Sequence, residues 1–133
     1  MTLFADTSFW FGLFTPKDHR HAAAKTIWEG NEEQVVTTNL VVGETWTLLL
    51  VRRTSHPLAM QMIESIDTSP RVEISRVGSS DEARAWEWLR RHDERTYSFV
   101  DATSFVTMRR RRLSDALAFD GNFAAAGFVE VRP

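Results

Sequence analysis

Short apolar segments alternate with helical patterns along the whole chain, and this alternation constrains the fold most strongly. A chain that alternates short strands with helices typically folds as α/β around a mainly parallel sheet. There is no internal repeat, linker or low-complexity tract, so we expect one domain over residues 1–133. The predicted strands cover residues 3–5, 34–37, 72–75, 117–119 and 128–131.

Capping residues, glycines and prolines mark the helices between these strands. We predict helices over residues 9–14, 19–29 and 39–53, from Pro57, from Ser79 or Ser80, and over 102–110, with a helical turn over 122–126. Apolar spacing predicts buried faces that comprise Ala22, Ala23, Ile27 and Trp28 in the second helix, and Ala83, Trp86 and Leu89 in the fifth. Trp86 and Trp88 cannot share one helix face, so we expect one of them at the surface.

The charge balance and residue types exclude several classes of protein. The formal net charge is −2, which argues against a strongly basic nucleic-acid-binding protein. Cysteine is absent, which excludes disulfides and cysteine-based zinc sites, and the histidines form no convincing metal-binding pair. The apolar runs are too short for a membrane span, and the N-terminal segment lacks the basic start of a signal peptide. We therefore expect a cytoplasmic protein with no membrane partner.

One acidic residue lies inside an otherwise apolar helical segment. Leu40, Glu44 and Leu48 are spaced four residues apart, so they share one face of the predicted helix 39–53. A buried carboxylate needs a cation, a hydrogen-bond donor or a proton to compensate its charge. The structural alternative is a buried ion pair with an arginine; the functional one is a ligand site.

Three aspartates lie at the ends of predicted strands or at a helix start. Asp6 and Asp120 each follow an apolar strand, and the carboxyl edge of a parallel sheet is where ligands bind. Asp101 opens a helix. Taken singly, Asp6 and Asp101 are explained as helix caps and Asp120 as part of an Asp-Gly turn. If they converge with Glu44, their mutual repulsion favours a bound cation, and oxygen ligands without Cys or His suit Mg²⁺ or Mn²⁺.

The segments that carry these acids resemble motifs of the PIN-domain ribonucleases, and the VapC-type toxins of bacterial toxin–antitoxin pairs are the most similar group. The resemblance runs through the chain in order. It rests on Leu3-Phe4-Ala5-Asp6-Thr7-Ser8, Thr38-Asn39-x-x-Val42-x-Glu44, Phe99-Val100-Asp101-Ala102 and Ala118-Phe119-Asp120-x-x-Phe123.

This resemblance implies a PIN-like three-layer α/β/α fold and a toxin that cleaves RNA as a Mg²⁺- or Mn²⁺-dependent endoribonuclease. It implies that Asp6, Glu44, Asp101 and Asp120 are both the catalytic residues and the metal ligands. Thr7 or Ser8 would orient a ligand or a metal-bound water, and Asn39 would either support the acids or only cap the helix. The expected partners are a cognate antitoxin protein, the RNA substrate and a second copy of the chain in a homodimer. The alternative function is a catalytically silent PIN scaffold that binds RNA or protein.

A run of four arginines ends the predicted helix 102–110. Arg109, Arg110, Arg111 and Arg112 either stabilise the helix C-terminus or contact RNA phosphates. Because the helix begins near Asp101, the run should lie roughly 12–15 Å along the axis from the acids.

The first helix is apolar on every side, which requires that it be covered on every side. Trp10, Leu13 and Phe14 can share its inward face, and Phe11 points away from them. We expect Phe11 to contribute to a groove for the antitoxin; the alternative is that the neighbouring helices cover it.

Overall fold

The computed structural model describes all 133 residues and consists of five strands and seven helices. Every strand pair is parallel, which confirms the predicted α/β fold. The strands are β1 (Thr2–Ala5), β2 (Gln34–Thr38), β3 (Val72–Ser75), β4 (Asp115–Leu117) and β5 (Val129–Glu130). The helices are α1 (Thr7–Phe14), α2 (His21–Glu29), α3 (Asn39–Arg53), α4 (His56–Thr68), α5 (Ser79–Arg91), α6 (Phe99–Arg110) and α7 (Asn122–Ala125).

The sheet has the strand order β3-β2-β1-β4-β5, so β1 lies at its centre. The first three strands follow one another from the centre of the sheet to one edge. The chain then crosses back, and β4 pairs with the other side of β1. The point between β1 and β4 is therefore the topological switch point, where ligands bind beyond the carboxyl ends of the strands. Ala5 pairs with Leu117 there, and the Asp6 amide donates a hydrogen bond to the Leu117 carbonyl at 3.0 Å.

The sheet core joins directly to α1. Phe4 and Ala5 of β1 are fully buried, as is Trp10 of α1. The indole Nε1–H of Trp10 donates to Thr37 Oγ1 at 3.2 Å, and that hydroxyl donates to the Ala5 carbonyl at 2.9 Å. Burial of one large apolar side chain contributes roughly 1.5–3 kcal/mol, so this packing fixes α1 against the end of β1.

The helices form two groups around the sheet. Helices α1 to α4 pack against one another, and α5 packs along α6. This arrangement gives the predicted three-layer α/β/α architecture. None of the helices combines the length and hydropathy that a membrane span requires.

Several predicted boundaries were wrong by two or three residues; α1 begins at Thr7 instead of residue 9, and α6 begins at Phe99 instead of residue 102. Helix α2 begins at His21 instead of residue 19, because the Asp18 carboxylate accepts a hydrogen bond from the Arg20 amide at 3.0 Å and holds a turn. Strand β4 ends at Leu117, so Asp120 follows the strand after two intervening residues instead of directly. The apolar pattern that predicted the strand continues through Ala118 and Phe119, but these two residues do not pair with β1.

Two predicted helix faces were also partly wrong, although Ile27 and Trp28 of α2 and Leu89 of α5 pack against the core as predicted. In α2, Ala22 is exposed and Ala24 is the fully buried alanine. In α5, Ala83 and Trp86 are exposed, whereas Ala85 is buried because α6 packs against that side. The expectation that one of the two α5 tryptophans is exposed is confirmed. The exposed one is Trp86, the one that the apolar spacing placed inward.

Phe11 does not contribute to an exposed apolar groove, although it is one of the residues that line the polar pocket beyond β1 and β4. Its side chain is buried, and the guanidinium groups of Arg52 and Arg53 lie 5.9 and 5.5 Å from its ring centroid. The end of α3 covers this side of α1, as the alternative interpretation expected. The accessible apolar surface of α1 is on the other side, where Leu13 and Phe14 line a cavity of about 400 Å³ between α1, α2 and α4.

Candidate active site

A polar pocket of about 550 Å³ opens beyond the carboxyl ends of β1 and β4. The four acids that the sequence singled out come from four separate elements, and all of them line it. Thr7 and Ser8 also line the pocket. The acids are Asp6, Glu44, Asp101 and Asp120.

Asp6 caps helix α1 from the floor of the pocket. Its Oδ2 accepts hydrogen bonds from the Ser8 amide at 3.1 Å and from the Ser8 hydroxyl at 2.9 Å. The Ser8 hydroxyl accepts in turn from the Phe119 amide at 3.0 Å, so one serine connects Asp6 to the loop after β4. The Oδ1 atom of Asp6 is buried and has no partner. The cap interpretation and the site interpretation therefore both apply to Asp6.

Asp101 also combines a local role with a place in the pocket. It is the third residue of α6, and it exchanges reciprocal hydrogen bonds with Ser98 in a capping box. A third bond comes from the Asn122 side chain, whose Nδ2 donates to Asp101 Oδ2 at 3.0 Å. Asn122 thereby fixes the orientation of Asp101 from the start of α7.

Asp120 lies in the predicted Asp-Gly turn. Its Oδ1 accepts from the Asn122 amide at 3.0 Å. Gly121 has φ +81°, a left-handed conformation that favours glycine. The turn therefore brings both Asp120 and Asn122 to the edge of the pocket.

Glu44 differs from the aspartates because it has no structural partner. It lies in the second turn of α3 and forms no ion pair, so the buried pair with an arginine is absent. The expectation that its face is part of the core was wrong. Leu40, Glu44 and Leu48 are half-buried, because this side of α3 faces the pocket instead of the sheet. The buried side of the helix comprises Val41, Val42, Thr45 and Leu49.

The environment of the pocket favours protonated carboxyl groups. Burial, reinforced by the charges of Asp120 and Asp101, raises the pKa of Asp6 from 3.8 to about 8. Burial also raises the pKa of Asp101 to about 6, with smaller contributions from Asp120 and Glu44. The pKa of Asp120 is raised as well, chiefly by burial. A cation in the pocket would reverse these shifts by stabilising the carboxylates.

The donor set fits a hard divalent cation that keeps part of its water shell. Two buried oxygen atoms, Asp6 Oδ1 and Thr7 Oγ1, lack hydrogen-bond partners. No three acidic side chains approach closely enough to form a complete protein ligand group by themselves. Mg²⁺ is usually bound by one or two carboxylates together with waters and substrate phosphate, which fits these residues.

The sequence interpretation missed several residues of the pocket. Asn122 was recognisable, since it lies two residues after Asp120 in the same turn. Arg20 and Arg52 also line the pocket, and they bring positive charge to an acidic cavity. No local pattern marks these two arginines. Arg20 precedes α2 and Arg52 is near the end of α3, so only the packing of α1 against α2 and α3 brings them to the pocket.

Asn39 lies elsewhere. Its side-chain oxygen accepts from the Val77 amide at 2.8 Å and holds the loop after β3, while Thr38 caps α3. It does not line the pocket, so Asn39 supports a neighbouring loop and not the acids directly.

The arginine run also lies away from the pocket, at the far end of α6. Arg111 pairs with Glu73 at 2.7 Å, and Arg112 is exposed. Arg109 and Arg110 line a separate cleft between α5 and α6.

Comparison with known proteins identifies the family. A PIN domain family model matches residues 3–129. Two curated relatives, both named 23S rRNA-specific endonuclease VapC20, come from the CDC 1551/Oshkosh and H37Rv strains of Mycobacterium tuberculosis. Each is 53% identical to this chain over 131 residues, which is 98% of both sequences.

Solved structures agree with this assignment. The crystal structure of M. tuberculosis VapC20, described as a sarcin–ricin loop cleaving toxin, superposes with a TM-score of 0.92 at 53% identity, over 98% of this chain and 99% of that one. FitAcB from Neisseria gonorrhoeae has a TM-score of 0.61 at 15% identity, over 98% and 96% of the two chains, and shares the fold. The chain therefore belongs to the PIN domain family.

Proposed function

We propose that the protein is a metal-dependent endoribonuclease that cleaves ribosomal RNA and acts as the toxin of a toxin–antitoxin pair. The observation that carries this proposal is the convergence of four carboxyl groups on one pocket, where an oxygen atom of Asp6 is buried without a partner. The 53% identity with relatives named 23S rRNA-specific endonuclease supports ribosomal RNA as the substrate.

The four acids would hold Mg²⁺ or Mn²⁺ together with waters, and they would also be the catalytic residues. When bound, the ion supplies an activated water and neutralises charge on the phosphodiester. Ser8 keeps Asp6 oriented through two hydrogen bonds, and Asn122 does the same for Asp101. Residues that orient metal ligands in this way typically change metal affinity or activity 10–100-fold when mutated.

The arginines at the pocket would hold the RNA. Arg20 lies with its guanidinium 5.7 Å from the Phe119 ring centroid, and its charge offsets part of the rise that burial causes in the pKa of Asp120. Arg52 lines the same pocket from the end of α3. A guanidinium binds phosphate through a rigid fork of donors, so these two residues are suited to the phosphates next to the scissile bond.

A cleavage assay on ribosomal RNA tests the proposal. The purified protein should cleave a sarcin–ricin loop RNA with Mg²⁺ or Mn²⁺ and fail to do so in EDTA. Asp6→Asn and Asp101→Asn should each abolish cleavage while the far-UV circular dichroism spectrum is retained. Asp93→Asn, an exposed loop aspartate outside the pocket, is the matched control and should cleave normally. Full activity in EDTA, or in both pocket variants, would refute the metal mechanism.

The same assay decides the alternative of a catalytically silent scaffold. Such a protein would bind RNA or a partner protein and leave RNA intact with either metal. Loss of one of the acids would favour this alternative, and all four are present in the sequence.

We also propose a cognate antitoxin and a second copy of the chain as partners in the cytoplasm. The cavity lined by Leu13 and Phe14 is the accessible apolar surface of α1 and suits an apolar segment of an antitoxin. Expression alone should arrest growth, and co-expression with the neighbouring antitoxin gene should restore it. Light scattering of the purified chain should give twice the monomer mass of 15.3 kDa. A monomer, or toxicity that no neighbouring gene relieves, would contradict these proposals.

A further inference from the structure

A second polar cleft, of about 540 Å³, lies between α5 and α6, away from the acid pocket. Its lining contains four arginines and a single acidic residue, Glu87. We call it the arginine cleft, and its cations are Arg84, Arg91, Arg109 and Arg110.

Helical spacing explains how these cations come together. Arg84 and Arg91 lie seven residues apart on α5, so they share one face, with Trp88 between them. Helix α6 runs antiparallel to α5, because Arg110 near its end pairs with Asp81 near the start of α5. This packing places Arg109 and Arg110 opposite the α5 arginines.

The positive charges of the cleft are only partly compensated. Arg110 pairs with Asp81 at 3.2 Å, and Arg91 approaches Glu87 at 3.7 Å. Arg84 and Arg109 have no carboxylate partner. Like charges that face one another across a cleft repel, so the cleft favours an anion.

Arg109 is held rigidly although it lacks an acidic partner. It donates to the Ala126 carbonyl at 3.1 Å, and its guanidinium lies 5.0 Å from the Phe128 ring centroid. Arg109 is exposed as a whole residue, and partial burial of its side chain lowers its pKa. A guanidinium held by these two contacts is oriented for phosphate, which it binds through its fork of donors.

Two helices extend from the acid pocket to the arginine cleft. Helix α6 extends from Asp101 in the pocket to Arg109, which is about 12 Å along the axis at 1.5 Å per residue. Helix α7 begins at Asn122, which contacts Asp101, and Ala126 directly after its last residue accepts the hydrogen bond from Arg109. At about 3.4 Å per stacked nucleotide, this distance corresponds to three or four nucleotides of one strand.

We propose that the arginine cleft binds the phosphate backbone of the RNA substrate, a few nucleotides from the bond that the acid pocket cleaves. The proposal rests on the function proposed above and adds a second, sequence-independent contact to it. Phosphate contacts of this kind set the register of the nucleic acid without reading its bases.

A pair of double variants tests the cleft. Arg84→Gln combined with Arg91→Gln removes two cleft cations. Arg76→Gln combined with Arg90→Gln is the matched control, because it removes the same charge at exposed positions outside the cleft. Binding of a labelled sarcin–ricin loop RNA is measured in EDTA by fluorescence anisotropy, so that binding does not depend on cleavage.

The salt dependence gives the expected size of the effect. Loss of two phosphate contacts should reduce the slope of log K against log[salt] by about 1.4, at about 0.7 per contact with single-stranded RNA. Between 50 and 200 mM salt the cleft variant should therefore lose about sevenfold less affinity than the wild type. The control should keep the wild-type slope. With Mg²⁺, a four-nucleotide RNA that spans only the cleavage site should be cleaved equally by wild type and cleft variant.

Other outcomes separate the two proposals. Equal slopes and affinities in the cleft variant, the control and the wild type would overturn the cleft proposal and leave the nuclease proposal intact. If the wild type cleaves no RNA but the cleft variant still shows the reduced slope, the nuclease proposal fails and the cleft remains an RNA-binding site. A changed molecular mass in light scattering with unchanged RNA binding would assign the cleft to a protein contact and would also overturn the proposal.

Discussion

Replacement of Asp6 by asparagine should abolish cleavage and, at the same time, stabilise the metal-free protein at alkaline pH. The Asp6 side chain is buried, and one of its oxygen atoms has no partner. Burial, together with the charges of Asp120 and Asp101, raises its pKa from 3.8 to about 8. Asparagine keeps the shape and the acceptor for Ser8 but removes the charge that is expensive to bury.

Proton linkage gives the magnitude of this stabilisation. Between pH 5 and pH 8 the folded protein keeps a proton on Asp6 that the unfolded chain has already released, so the stability of the wild type falls as the pH rises towards 8. One proton over three pH units gives a ceiling of about 4 kcal/mol, at about 1.36 kcal/mol per unit. Water that enters the pocket reduces this cost, so we expect a gain of about 2 kcal/mol for Asp6→Asn at pH 8 relative to pH 5.

Urea denaturation in EDTA at pH 5, 6, 7 and 8 measures the effect. Wild type, Asp6→Asn and the exposed-loop control Asp93→Asn should be compared at equal ionic strength. Addition of Mg²⁺ at 100 times its dissociation constant should raise the wild-type free energy of unfolding by about 2.7 kcal/mol and should leave Asp6→Asn nearly unchanged. If the wild type and Asp6→Asn have parallel stability profiles from pH 5 to pH 8, the reasoning about the buried carboxylate is refuted.

Three further substitutions probe the surroundings of the pocket. Ser8→Ala leaves the Phe119 amide without its acceptor, so the free energy of unfolding measured in urea should fall by about 1–2 kcal/mol. The cleavage rate should fall about tenfold or more, because Ser8 orients Asp6. Wild-type stability and a wild-type rate would contradict this prediction. Asn122→Ala removes a donor that lowers the pKa of Asp101, so the acidic limb of the pH–rate profile should move to higher pH, and an unmoved limb would show that Asn122 does not orient Asp101. Phe11→Ala should lower the free energy of unfolding in urea by about 3 kcal/mol, because the ring is buried. An unchanged denaturation midpoint would contradict the burial of this side chain.

The local order of strands and helices was predictable from the sequence because it depends on near neighbours. Alternating apolar segments gave the α/β class, and all five predicted strands are present with ends shifted by no more than two residues. The positions of Asp6 after β1 and of Asp101 near the start of α6 are likewise local properties. The order of the PIN-like motifs then indicates that these acids belong to one site.

The errors concern the faces of helices. Trp86 and Trp88 are the same residue type on one helix, so local preferences do not distinguish them. The position of α6 decides that Trp88 packs inward and that Trp86 remains 48% exposed. Phe11 was expected to be accessible, but the end of α3 covers it with Arg52 and Arg53. Which side of a helix is buried depends on the element that packs against it, and that element is distant in the sequence.

The sequence by itself determined the class of fold, the order of its elements and the four acids, because periodicity, capping and motif order are carried by adjacent residues. Only the tertiary structure decided that these acids share one pocket, that Asn39 holds a neighbouring loop, and that Arg109 and Arg110 join two arginines of α5 in a separate cleft. Burial and charge repulsion act through space, so the pKa of Asp6 is raised only once folding has buried its side chain and brought Asp120 and Asp101 beside it.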